Sequence, residues 1–185
     1  MNEKEQQENI EFLKKRLKSK FDELAEPMKQ VEYTQENYNK LFPNNKVSTP
    51  IGEVILRRDQ YVKLGNKDRK DILGGMHQTL TNPIAIISED RDGNTAKIYA
   101  KSFTNNEVLK ENEGLITIVP NIKGKDIAIS THSRRKNNIL NKIKKVGDVI
   151  YEKPISDSTA GDTVNSDNIQ LSSNISQTFP MSRKK

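Results

Sequence analysis

The chain has 185 residues, 32% hydrophobic and 30% charged, with a mean hydropathy of −0.82, which is apolar material for one domain of about 100 residues with polar extensions. A formal charge of +6 and a pI near 9.3 favour a polyanionic partner, nucleic acid or an acidic protein. Cysteine is absent, which removes disulfides, thiolate nucleophiles and cysteine-ligated zinc. The two histidines, His77 and His132, stand outside any HExxH-like spacing, so neither a metal nor another cofactor is expected.

The N-terminus, MNEKEQQENIEF, is acidic and lacks the apolar core of a signal peptide. No stretch approaches the roughly 18 apolar residues of a membrane span, so a cytoplasmic protein with no membrane partner is expected. Ile10, Leu13, Leu17, Phe21, Leu24, Met28 and Val31 recur every three or four residues, which predicts an amphipathic helix over about residues 6–32, kinked at Pro27. Its stripe packs on the chain's own core or pairs with a second copy, giving a candidate dimer through residues 10–31. Residues 34–46 carry Thr34 as a cap and Pro43, Asn44 and Asn45 as breakers, and read as a linker. Residues 1–46 thus form a helical extension, and a folded domain spans 47–153.

Within that domain, VSTPIGEVILRR reads as an edge strand or hairpin about Pro50 to Gly52. A short helix follows Asp59 and stops near Gly65; a second begins at Asp68 and stops at Gly74 and Gly75. Pro83 holds Asn82 extended, and Thr79 and Asn82 close a polar turn. A meander follows: Ile84 to Ser88, a DRDG turn, Ala96 to Phe103, Leu115 to Val119, a turn at Gly124, and Asp126 to Thr131. Asp148 to Glu152 is a last strand. Between the last two, Ile139, Leu140 and Ile143 at helical spacing, with Arg134, Arg135, Lys136, Lys142, Lys144 and Lys145 mostly off that face, predict a basic amphipathic helix. Residues 154–185 hold Ser, Thr, Asn, Asp and Gly with few apolar side chains, a composition that does not offset chain entropy, so a disordered polar tail is expected. The fold class is α+β: two short helices followed by an antiparallel sheet of four to five strands.

The stretch ISTH, Ile129 to His132, places Ser130, Thr131 and His132 at a strand end beside the basic segment. Without thiols or metal, the simplest reaction on a polyanion is RNA cleavage, because the 2′-hydroxyl supplies the nucleophile. The protein then needs an acid/base near neutrality, cations for the phosphorane, and contacts that hold the nucleotide in line. His132 fits the first role, with Thr131 and Ser130 orienting a phosphate oxygen. Arg69 and Lys101 are the cations brought to the same end, against the ordinary alternatives of a helix-surface ion pair and an exposed strand lysine.

Taken in order, TPIGEV (Thr49 to Val54), Gln60 and Lys63, Asp68-Arg69, TLTNP (Thr79 to Pro83), YAKSF (Tyr99 to Phe103), ISTH, KIKK (Lys142 to Lys145) and VIY (Val149 to Tyr151) resemble a domain of mobile-element polyvalent proteins. These domains are classed as phage barnase-EndoU-colicin-RelE-like (BECR) nucleases. The resemblance covers about residues 47–153 and implies two helices before an antiparallel sheet of about four strands. It also implies a metal-independent endoribonuclease acting on tRNA or mRNA of a host or competitor, with a cognate inhibitor protein as a further partner. Carried over as catalytic residues are Arg69, Thr79, Lys101, Thr131 and His132. Ser130, Arg134, Arg135, Lys136, Lys142, Lys144 and Lys145 are the expected RNA contacts. The competing expectation is a catalytically inactive module that binds RNA or protein.

Overall fold

The computed structural model describes residues 2–155, so the tail expected over 154–185 falls, from residue 156 on, outside the described residues. Among the described residues the architecture is α+β: five α-helices and a mixed, curled sheet. The helices are α1 (Glu3–Glu23), α2 (Gln35–Leu41), α3 (Gln60–Asn66), α4 (Leu73–Thr81) and α5 (Lys136–Leu140). The strands are β1 (Glu26–Pro27), β2 (Lys46–Thr49), β3 (Gly52–Leu56), β4 (Ala85–Arg91), β5 (Asn94–Lys101), β6 (Phe103–Thr104), β7 (Glu113–Ile122), β8 (Lys125–Ala128), β9 (Ser130–Arg135) and β10 (Val149–Glu152). The main sheet runs β10-β4-β5-β7-β8-β3-β2, with β9 also on β7, while β1 and β6 form a separate parallel pair.

This sheet is larger than the expected antiparallel four or five strands, and it is not wholly antiparallel. β3 lies parallel to β8, with Ile55 opposite Ile127 and Leu56 opposite Ala128, so the β2–β3 hairpin joins the meander instead of standing apart. The meander itself follows its turn chemistry. Asp92 and Gly93 between β4 and β5, and Lys123 and Gly124 between β7 and β8, all have positive φ, as a two-residue turn matching strand twist requires.

Side-chain alternation gives the sheet two buried faces. On one, Ile86, Tyr99, Leu115 and Val119 pack with Met28, Tyr38, Phe42, Leu64, Leu73 and Met76 beneath α2, α3 and α4. On the other, Ala85, Ile87, Ile98, Ile116 and Ile118 pack with Ile10, Leu13, Leu17 and Phe21 of α1 and with Ile139, Leu140 and Ile143. The α1 stripe is therefore core of its own chain: Leu17 and Phe21 are 0% exposed, and the expected dimer face through residues 10–31 is largely occupied inside the molecule. Arg16 donates twice to the Glu152 carboxylate at 2.8 Å, and Lys20 reaches the Lys153 carbonyl at 2.7 Å, fastening α1 to β10. The boundary expected at residue 46 is not one in the packing, because everything through Lys153 belongs to a single unit.

Three local expectations are corrected. The first helix stops at Glu23, capped at its start by Asn2; Pro27 holds Glu26 extended, and β1 pairs with β6. The expected linker contains α2, capped by Thr34, with Tyr38 and Phe42 buried. Gly74 and Gly75 do not end a helix but lie inside α4, where a Cβ on Gly74 would stand 2.2 Å from the Lys29 carbonyl oxygen. Glycine there permits a close backbone approach instead of a stop.

Candidate functional site

β8 and β9 are one strand interrupted by a bulge. Ile118 pairs with Ser130 while Asn121 pairs with Asp126, which leaves one extra residue on the second strand, and Ile129 falls between the two segments. A bulge of this kind re-aims the side chains that follow it. The Ile129 carbonyl, turned away from the ladder, accepts from Gln60 Nε2 at 2.8 Å and from Lys63 Nζ at 2.7 Å. Next along the edge, the Thr131 carbonyl accepts from Arg69 Nη1 at 3.0 Å. Residues from α3 and the turn after it thus cover an edge that would otherwise expose unpaired carbonyls.

Arg69 reaches this edge because of how α3 ends. Asp68 takes φ 57°, its N–H bonds the Gly65 carbonyl and the Arg69 N–H bonds the Leu64 carbonyl at 2.7 Å. This is the left-handed helix stop usually given to glycine. Asp68, expected to begin the second helix, instead ends the first and turns Arg69 toward β9.

After the bulge, Ser130, His132 and Arg134 share one face of β9 and Thr131, Ser133 and Arg135 the other. Ser130 Oγ lies 3.2 Å from His132 Nδ1, and Arg134 Nη2 lies 3.3 Å from His132 Nε2. A guanidinium only donates, so Nε2 carries the lone pair and Nδ1–H donates to Ser130. His132 is half-buried, and its pKa is pushed down to about 4, first by burial and then by Arg134, Arg69, Lys142 and Lys63. The imidazole is neutral at pH 7. Burial, then the Arg57 charge, also lowers the Lys63 ammonium.

The cations here are unbalanced. Among the described residues, Lys63, Arg69 and Arg134 form no ion pair with a carboxylate, and the buried Arg134 Nε has no hydrogen-bond partner. Lys142 is partly neutralised by Glu89 at 2.9 Å. Buried donors are nearly always satisfied, and turning the Arg134 side chain outward onto an anionic oxygen would give its Nε a partner. Comparison of the chain with known protein families, curated proteins and solved structures gave no match.

Of the five expected catalytic residues, only His132 and Arg69 meet here. The Thr131 side chain is 1% exposed and bonded to Thr117 Oγ1 at 2.8 Å inside the core. Thr79 lies within α4, not in a turn, and donates to the Gly75 carbonyl at 2.7 Å. Lys101 is 0% exposed, held by the Asn82 carbonyl at 2.7 Å and Glu26 at 3.1 Å. Burial, foremost, lowers its pKa. Lys101 thus ties β5 to the end of α4 and to β1, while the two threonines bond within the sheet and within α4.

Among the expected RNA contacts, Ser130 and Arg134 join His132. Arg134 and Arg135 belong to β9 and not to a helix, since pairing with Glu113 and Gly114 carries the strand that far. The basic helix shrinks to α5. Arg135 points to the other face and Lys136 pairs with Asp22 at 3.5 Å. Lys144 and Lys145 lie further off, beside α1. Gln60 and Lys63 were not expected as site residues; their spacing of three on α3 places both on one helix face, but only the bulge shows what that face meets. His77 packs edge-on against Phe42 at 5.5 Å, and burial lowers its pKa.

Among the described residues, no group of three or more His, Asp or Glu side chains is disposed to hold a metal ion. No helix among them is long and apolar enough to cross a membrane.

Proposed function

We propose that the β9 edge is a phosphate site at which the chain cleaves RNA through attack of a 2′-hydroxyl on the adjacent phosphorus. One observation carries the reading: a neutral imidazole and three cations without carboxylate partners, gathered on one strand edge. A bound phosphodiester would draw Arg134 off Nε2 and share the charge of Arg69, Arg134 and Lys63. Nε2, freed, accepts the 2′-hydroxyl proton while Ser130 holds the opposite ring nitrogen. The O2′–P bond forms, the P–O5′ bond breaks, and the 5′-oxygen takes a proton from the imidazolium or from water. The products are a 2′,3′-cyclic phosphate and a 5′-hydroxyl. The three cations oppose the phosphorane charge.

The resemblance to BECR nucleases of mobile-element polyvalent proteins supports the same reading and suggests a phage or mobile-element setting, a cytoplasmic location, tRNA or mRNA as substrate and a cognate inhibitor. The test is incubation with total RNA in EDTA. Fragments ending in cyclic phosphate are expected, and His132→Ala lowers their rate by roughly 10²- to 10⁴-fold while binding changes little. Wild-type protein that leaves RNA intact sinks the cleavage reading.

A second reading, RNA binding without cleavage, is favoured by the low His132 pKa and by Arg134 already seated on Nε2. It predicts salt-dependent RNA binding and no cyclic-phosphate product.

A further inference from the structure

Phe12, on α1, is 67% exposed, although its neighbours Ile10 and Leu13 are core. Its ring borders a groove of about 500 Å³ lined by Ile10, Leu13, Val146, Arg16, Lys144 and Lys145. The Arg16 guanidinium lies 5.9 Å from the ring centroid. No carboxylate lines the groove, and Arg16 shares the Glu152 carboxylate with Lys20, so the groove's edge is cationic through Lys144, Lys145 and Arg16. The groove lies on the sheet face that His132 shares with Ile116 and that α1 covers. Lys142, whose charge is felt at His132, precedes Lys144 and Lys145 by only two and three residues, and the three lysines line a neighbouring hollow together with Glu89, Asp90 and Asp148.

An exposed aromatic ring flanked by lysines matches the way single-stranded nucleic acid is held, with bases stacked on rings and phosphates on cations. We infer that Phe12 is a stacking platform for a base flanking the phosphate held at β9, with Lys144 and Lys145 on the intervening backbone. This assignment rests on the RNA reading of the β9 site and extends it to α1.

The chain has no tryptophan, so Phe12→Trp introduces a single reporter at the platform. Quenching by a single-stranded oligodeoxyadenylate, which has no 2′-hydroxyl to cleave, is expected; inorganic polyphosphate, which has no bases, leaves the emission unchanged. Phe12→Ala weakens oligonucleotide binding by roughly 5- to 100-fold, whereas cleavage of a dinucleotide too short to reach the groove is unaffected. Equal quenching by polyphosphate overturns the platform, as does unaltered oligonucleotide affinity in Phe12→Ala, and either result leaves the β9 reading standing. A response to polyglutamate where the oligonucleotide is silent overturns it in favour of a protein-docking face. Quenching by oligonucleotide in a protein that cleaves no RNA upholds the platform and removes only the cleavage step.

Discussion

The His132 imidazole is held well below its ordinary pKa first by burial and then by the charges of Arg134, Arg69, Lys142 and Lys63, and the second cause weakens when an anion binds. A phosphodiester seated against Arg69 and Arg134 would offset the positive field and raise the imidazole toward the range useful at pH 7. A non-cleavable deoxyoligonucleotide should therefore move the His132 titration upward in a histidine ring-proton NMR experiment. A titration that stays put would separate the imidazole from the anion site. For stability the sign is fixed: the unfolded chain binds protons at His132 and His77 below a pH of about 6.5, while both folded values are lower. Their contribution is complete above that pH and is lost as pH falls toward about 4. Glu26 and Glu152, lowered despite burial by Lys101 and by Arg16 respectively, lose theirs in the same direction. The urea midpoint should fall between pH 7 and pH 5. Lys101→Met tests the reassignment of a side chain first placed in the site: it strands the Asn82 carbonyl and should cost about 1–3 kcal/mol, with cleavage by the remaining folded protein preserved.

Among the elements, α4 shows how far local signals reach. Two adjacent glycines usually end a helix, yet here they let it lie against Lys29, Met28 and Leu115. Gly74→Ala gains about 1 kcal/mol of helix propensity but drives a methyl into the Lys29 carbonyl, a backbone atom that cannot rotate aside, so a net loss of roughly 1–3 kcal/mol is expected in urea unfolding. Gly75→Ala meets the ends of Leu115 and Met28 side chains and should cost less. A stabilised Gly74→Ala would show that α4 and the Lys29 backbone can move apart at this contact. The hairpins at Asp92-Gly93 and Lys123-Gly124 were legible because their turns state their own geometry. The length of β9 was not, because Arg134 and Arg135 look helical until β7 is placed beside them. Arg69 was legible as a cation and His132 as an imidazole at the end of a strand. Lys101, Thr79 and Thr131 were misplaced because sequence shows polarity but not which side of a sheet a polar group enters.

Across the whole molecule, two cores share one sheet, so neither is expendable. Deleting residues 1–33 removes Leu17 and Phe21 from one core and Met28 from the other, and the remainder should lose its cooperative unfolding transition and bind a hydrophobic dye. A truncated chain that keeps a sharp transition would make α1 the detachable extension first read from its stripe. The same two-sided burial gives the single extra residue at Ile129 an influence far beyond its place. Upstream, Asp126 and Ala128 share a side with Val119 and Tyr99; downstream it is Thr131 that enters that core and His132 that faces the other way. Removing Ile129 would act as a frameshift written in space: every later residue of the strand would exchange inside for outside, burying the imidazole beneath α4 and bringing a threonine to the edge. The chain's candidate chemistry thus depends on a parity bit, and one residue sets it.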